Sequence, residues 1–384
     1  MPTTKIKNLE YRLALPLLAP RPGKNPLLSA DGHPIRYPNA FLRLIRRHHV
    51  LGSATLISDG SQESLLLTRS LRPAHIPDAD TFFRVASITK VAVSVVAMRL
   101  IEEGYLDLNR EVITCLPSSS GLDCLKGITL RHLLSHTSGL TDPPNLENDL
   151  NQGKALPEVL SSIRMGTVGR FRYSNLGYGL IGCLLESILR KPVDTVFDEW
   201  LFRPLGMHAS LGGRTLPAGH IMPISRVFVY HEGRDVILTP LGSRPLKAPD
   251  PLRHFGHTAG SMYVDIRSLA SLFRMLLLDG NGFLRESSVS EMRRIHAVYG
   301  NVSPTLSYGL GLLRIHDPRL SNHDLLGHQG FAYGCVDGAF WEEGTKRMLI
   351  FLNGGCSEAR TGRLGNANFD MLRWAFRKEL PSWS

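Results

Sequence analysis

Cysteine is scarce in this chain: five residues in 384, at positions 115, 124, 183, 335 and 356. The count is odd and no pair has C-x-x-C spacing, so neither a disulfide framework nor a zinc knuckle is written here. Cys115 and Cys124 are near enough in sequence to pair across a loop, and Cys183, in an apolar helical stretch, reads as a small core residue. Long hydrophobic runs are missing as well, since none reaches the roughly 18 apolar residues that would mark a membrane span. The N-terminal run Leu13 to Pro20 is broken by prolines and crowded by Glu10, Tyr11 and Arg12. It makes a poor secretory core, and the expectation is a mature chain that starts near Met1 and works in the cytoplasm. There is no H-E-x-x-H, and the 15 histidines form no ligand-spaced set, so neither a metal nor any other cofactor is expected. Nor is there a G-x-S-x-G elbow, which argues against an α/β-hydrolase.

What is present fits a globular enzyme. The hydrophobic fraction is 43% and the charged fraction 20%, with a formal charge of +10. Arg43, Arg46, Arg47, His48 and His49 form the densest basic cluster, without interleaved aromatics or a known binding motif. That excludes nucleic acid as the expected partner, although the positive field favours anionic substrates. Gly177-Tyr178-Gly179-Leu180-Ile181-Gly182 matches a dinucleotide fingerprint, but no strand precedes it in a βαβ unit. Close helix packing is the better account of these glycines.

Periodicity and turn residues set out the elements. Leu51 to Ile57 and Leu65 to Thr68, separated by Asp59-Gly60, predict a hairpin. A buried helix runs from Ser87 to near Gly104, an amphipathic one from Ile266 to Leu278, another from about Ser287 to His296, and a last one from Phe369 to Leu380. Strand-like runs cover Tyr308 to Ile315, Tyr333 to Trp341 and Arg347 to Asn353. Strands at both ends with helices inserted between them imply an α/β (α+β) fold, an antiparallel sheet flanked by helices plus a helical subdomain. In outline, residues 1–40 are an extension and 41–384 one domain, with 41–105 and 258–384 carrying the sheet and 106–257 mostly helical.

The chemistry begins at Ser87-Ile88-Thr89-Lys90. A serine hydroxyl needs a base within hydrogen-bond reach, and residues three apart on a helix share a face. A lysine amine becomes a base only if burial lowers its pKa from about 10.4, and the run Val91 to Met98 supplies burial. On these four residues alone, Ser87 as a helix cap and Lys90 as a solvated first-turn residue fit equally well.

Two further motifs follow in order: Tyr173-Ser174-Asn175 and His328-Gln329-Gly330. S-x-x-K, Y-x-N and [K/H]-x-G, widely spaced in that order, resemble the serine β-lactamase and penicillin-binding-protein superfamily. The likeness is to its class C branch, with the D-alanyl-D-alanine carboxypeptidases and β-lactamase-like esterases. Leu133-Leu134-Ser135-His136-Thr137-Ser138-Gly139-Leu140 and Pro204-Leu205-Gly206-Met207 resemble the flanking text of that family, and the resemblance spans about residues 42 to 358.

The resemblance implies a β-lactamase/transpeptidase-like fold with the site in a cleft between the subdomains. Ser87 is then the nucleophile, Lys90 its activator and Tyr173, with a phenol pKa lowered by neighbouring cations, the proton carrier. Asn175 and His328 orient the substrate, Gly330 keeps room for the acyl group, and the backbone N–H groups of Ser87 and Phe331, the latter on an edge strand, form an oxyanion hole. Where class C β-lactamases carry Lys-Thr-Gly or Lys-Ser-Gly, this chain has His328 and Gln329, which weakens recognition of a carboxylate. The expectation is a serine hydrolase acting on a small-molecule ester, amide or peptide, an esterase or amidase/D-amino-acid peptidase with weak β-lactamase activity. The alternatives are an intracellular acyltransferase, a dedicated class C-like β-lactamase and a non-catalytic sensor, and the oligomeric state is left open.

Overall fold

A computed structural model describes residues 28–29, 38–68, 77–118, 121–144, 146, 153–213, 215–225, 235–236, 246–300, 304–332 and 334–377. Strands from the N-terminal and C-terminal parts of the described residues meet in one sheet. β1 (Leu28–Ser29) pairs with β3 (Glu63–Thr68), and β3 pairs with β2 (Ser53–Ser58) in the expected hairpin, Ser53 opposite Thr68. The C-terminal half supplies β4 (Ala297–Gly300), β5 (Thr305–Tyr308), β6 (Leu313–His316), β7 (Leu325–Ala332), β8 (Cys335–Glu342) and β9 (Met348–Asn353). The order across the sheet is β1-β3-β2-β9-β8-β7-β6-β5-β4, antiparallel throughout, with β9 joined to β2 from Asn353 opposite Ser53 to Met348 opposite Ser58.

Helices cover both faces. α1 (Pro38–Arg47) and α6 (Asn366–Phe376) lie on one side, where Phe41, Ile45, Val336, Phe340, Phe351 and Met371 form a core. α5 (Ile266–Leu277), the expected amphipathic helix, covers β2, β8 and β9 on the other side. Double coverage explains why all eight residues of β8 are buried, with no alternation of apolar and polar. Arg47 and His48 of the basic cluster both pair with Asp370 of α6, so part of that cluster ties two helices together.

The larger core continues past the sheet into helices. α2 (Thr89–Glu102) is buried from Thr89 to Met98, the pattern of a helix covered on all sides. It packs against α3 (Asn175–Leu189) and the short α4 (His257–Gly260). The dinucleotide-like glycines sit in that packing: a Cβ at Gly179 would lie 1.4 Å from the Phe255 carbonyl oxygen, and one at Gly182 would lie 2.6 Å from Thr258 Oγ1.

Two expectations need correction. Tyr308 to Ile315 is not one strand but two, because residues 309–312 turn while Leu310 and Leu312 stay buried, so the apolar run hides the turn. All five cysteines are free, in line with the absence of a disulfide framework in the sequence. The strand bearing His328 is an edge only in part: Leu325–Gly327 pair with β6, and beyond them β7 keeps β8 alone as its partner. The expectations for residues 1–27, 30–37 and 378–380, and for Tyr333, lie outside the described residues. Among the described residues no helix is long and apolar enough to cross a membrane.

Candidate active site

Ser87 sits in a 3₁₀ turn, Ala86–Ile88, that leads directly into α2. Ala86 adopts φ +44°, a left-handed conformation that alanine rarely takes, and strain of this kind collects at functional positions. The turn is fixed by Thr89, whose hydroxyl donates to the Ala86 carbonyl at 2.6 Å and accepts from Met262 N–H at 3.1 Å. The half of β7 without a β6 partner lies against this turn. Gly330 makes that approach possible, since a Cβ there would be 2.4 Å from the Val85 carbonyl oxygen. The glycine thus serves backbone packing beside the nucleophile.

Lys90 is completely buried. Its Nζ lies 3.1 Å from Ser87 Oγ, 2.9 Å from Asn175 Oδ1 and 2.5 Å from the Ala259 carbonyl oxygen. Burial lowers its pKa to about 7, against an opposing pull from Asp142. As an ammonium, Lys90 uses all three donors on these oxygens. As a neutral amine it keeps two for the amide and carbonyl acceptors and turns its lone pair on Ser87.

Tyr173 lies in the extended segment before α3, and Ser174 caps that helix by accepting from Gly177 N–H at 3.0 Å. The Lys90 Nζ stands 5.0 Å from the Tyr173 ring centroid, and the Ser87 hydroxyl is near enough to the phenol to favour its ionised form. The expected lowering of its pKa is wrong in sign. Burial raises it, the Ser87 hydroxyl opposes only in part, and Tyr173 keeps its proton.

His328 is neutral, in line with the weak carboxylate recognition expected of it. It is buried, with Nδ1–H donating to the Gln329 carbonyl at 2.7 Å and Nε2 accepting from the Tyr308 hydroxyl at 2.8 Å. Burial and the nearby Lys90 push its pKa down to about 3, so it carries no charge to a substrate and forms part of the wall. Gln329 is spent elsewhere: its amide donates to the Arg363 carbonyl at 2.6 Å and accepts from Gly365 N–H at 3.1 Å. Those partners belong to the hairpin of β10 (Arg360–Thr361) and β11 (Leu364–Gly365), where the Arg360 guanidinium stacks on Phe331, 3.4 Å from its centroid.

One residue had no sequence signal. Asp142 accepts from Ser174 Oγ at 3.0 Å, Leu176 N–H at 2.9 Å and Asn175 Nδ2 at 2.8 Å, and so turns Asn175 Oδ1 towards Lys90. A lone aspartate before Pro143-Pro144 matches no motif, and only its position after the Leu133–Leu140 text hinted at it. Asp142 holds the Lys90 pKa up, so Asp142→Asn is expected to move the acid limb of any Lys90-dependent rate to lower pH. Losing a carboxylate from the α3 N-terminus should also destabilise the fold by about 1–3 kcal/mol. A pH–rate profile with a melting curve checks both, and an upward or absent shift of the limb contradicts the arrangement.

A family model described as Beta-lactamase matches residues 39–341. Penicillin-binding protein 4 of Amycolatopsis lactamdurans is 28% identical over 252 residues, 62% of this chain and 63% of that protein. The match thus spans less than two thirds of that relative's length. Esterase EstB of Burkholderia gladioli is 25% identical over 355 residues, 82% of this chain and 88% of the esterase. Among solved structures, EstCE1, described as a hydrolase with promiscuous acyltransferase activity, superposes with a TM-score of 0.67 at 21% identity, covering 89% of this chain and 98% of that one.

Proposed function

Because the chain belongs to the Beta-lactamase family, we propose that it is a serine acyl hydrolase whose acyl-enzyme forms on Ser87. The observation that carries this reading is Lys90: fully buried, 3.1 Å from Ser87 Oγ, with a pKa brought down to about 7. Near neutrality a substantial share of the molecules then holds the free amine that a serine needs. Lys90 takes the Ser87 proton as Oγ bonds to the substrate carbonyl carbon. The Tyr173 phenol, kept protonated by burial, donates to the leaving oxygen or nitrogen and regains a proton from the Lys90 ammonium. Water then repeats the sequence on the ester and releases the acid. The backbone N–H groups of Ser87 and Phe331 receive the developing oxyanion, and Asn175 orients the substrate amide or carbonyl while it anchors Lys90.

The substrate reading is an ester, or an amide or D-amino-acid peptide, rather than a β-lactam. A β-lactam presents a carboxylate, and the residues at the third motif offer it little: His328 is neutral and engaged at both nitrogens, and Gln329 is bound to a hairpin. The likeness to an esterase over 82% of the chain supports the same choice. Comparing kcat/KM for p-nitrophenyl butyrate, a D-amino-acid amide and nitrocefin tests it. The expected result is preference for the ester or amide over nitrocefin by about 100-fold or more, the discrimination a lost charge-assisted contact commonly gives. Nitrocefin as the best substrate overturns it. Mass spectrometry of the acylated protein, with and without an added amine or alcohol, separates a hydrolase from an acyltransferase.

A further inference from the structure

His136 encloses Tyr173. The histidine ends the turn after Leu130–Leu134 and has φ +58°, left-handed and unusual for its type. Its backbone carbonyl accepts from Arg172 N–H at 2.7 Å, and its side-chain Nδ1 accepts from Ser174 N–H at 3.1 Å. One residue thus binds the peptide on both sides of Tyr173, once with main chain and once with side chain. The imidazole also stacks on the phenol ring, centroids 4.2 Å apart and planes tilted by 33°. Tyr178 and Tyr308 close in at 4.9 and 4.8 Å.

Because Nδ1 accepts, the neutral ring carries its proton on Nε2, and that nitrogen is buried without a hydrogen-bond partner. A side chain serving stability alone has no reason to leave such a donor unmatched. What the ring gains is an acceptor at Nδ1 in a flat body that fits the phenol. Burial and the neighbouring Lys90 and His328 keep the ring neutral, so Nδ1 stays an acceptor. The groups that face it are Lys90, His328, Tyr173, Tyr178 and Tyr308.

We propose that His136 is the positioning residue for Tyr173, fixing the backbone on both sides of the tyrosine and the plane of its ring so that the phenol stays on Ser87. The inference rests on the reading of Ser87, Lys90 and Tyr173 as the acylating group. Asparagine puts an oxygen where Nδ1 stands and tolerates a left-handed φ, whereas glutamine carries its oxygen one bond too far.

The test compares wild type, His136→Asn, His136→Gln and His136→Ser, the last too short to reach Ser174, so that one variant failing to fold leaves a comparison standing. A fluorophosphonate probe measures the labelling rate of Ser87 and counts competent sites, and p-nitrophenyl butyrate gives kcat and KM per competent site. Asparagine is expected to retain kcat within about fivefold. Glutamine and serine should lose about 100-fold in kcat with KM within about twofold, the scale of an ångström-sized misplacement. Glutamine or serine at the wild-type rate overturns the inference, as does asparagine falling as far as they do. Wild type left unlabelled at Ser87 defeats the underlying reading instead, while wild type labelled at Ser87 with the same kcat in all four proteins defeats this inference alone.

Discussion

Replacing Lys90 with methionine should abolish turnover while leaving the protein about as stable as before. On activity, removing one member of a nucleophile–base pair commonly costs about 10⁴-fold or more in kcat, and Ser87→Ala should do the same. On stability, two terms oppose each other. Lowering the Lys90 pKa from 10.5 to about 7 corresponds to about 5 kcal/mol of strain on the folded state, which methionine relieves. Methionine also strands Ser87 Oγ, Asn175 Oδ1 and the Ala259 carbonyl, at about 1–3 kcal/mol each for those that water cannot reach. The terms are of similar size, so the melting temperature at pH 7 should move by only a few degrees.

The pH dependence separates this from a simple loss of packing. The unfolded chain holds the Lys90 proton up to about pH 10.5 and the folded chain only to about 7, so unfolding takes up a proton between those values. Wild type therefore gains stability as pH rises through that window, and the methionine variant lacks the gain. In the active protein the free amine accumulates above about pH 7, so kcat/KM should rise through an acid limb there. Melting curves at pH 7 and 9.5 with a pH–rate profile make the check. A limb far from neutrality, or parallel pH dependence of the two melting temperatures, would contradict the assignment of Lys90.

The second large effect is on stability. Gly179→Ala places a Cβ 1.4 Å from the Phe255 carbonyl oxygen, and backbone must move to admit it. The displacement would reach Thr258, whose hydroxyl donates to the Tyr178 carbonyl at 2.6 Å, and Ala259, whose carbonyl holds Lys90. Overpacking commonly costs about 1–3 kcal/mol, and collision with backbone on this scale belongs at or above the upper end. A loss of about 3 kcal/mol or more by denaturant melt is expected, with activity falling further than stability because α4 carries a contact of the base. A variant that melts with wild type would show that α3 and α4 are not packed as described.

Much of this was legible in the chain, and what was not has identifiable causes. α2 could be read because a helix covered on all sides needs an unbroken apolar run, and Val91 to Met98 supplies one. The β2–β3 hairpin was legible from Asp59-Gly60 between two apolar runs. β5 and β6 merged because Leu310 and Leu312 are buried inside the turn that separates them, so hydrophobicity never drops. Ser87, Lys90, Tyr173 and Asn175 were found by order and spacing, and the structure brings them within contact. Asp142 escaped because its work is done by hydrogen bonds to backbone and to Asn175, and neither leaves a pattern in sequence. The environment of Tyr173 was misjudged because the burial around it comes from residues far apart in the chain, and burial outweighs the nearby charge.

Gln329 gives the molecule a peculiar kind of heritability. Its amide fastens the β10–β11 hairpin to the strand that borders Ser87, so one codon governs both the middle residue of the third motif and the anchorage of the hairpin that carries Arg360 and Arg363. A change to threonine would supply a hydroxyl at the third motif and in the same stroke unfasten Arg363 and Gly365. Variation at this edge therefore arrives as coupled pairs of traits, and selection on either one drags the other along.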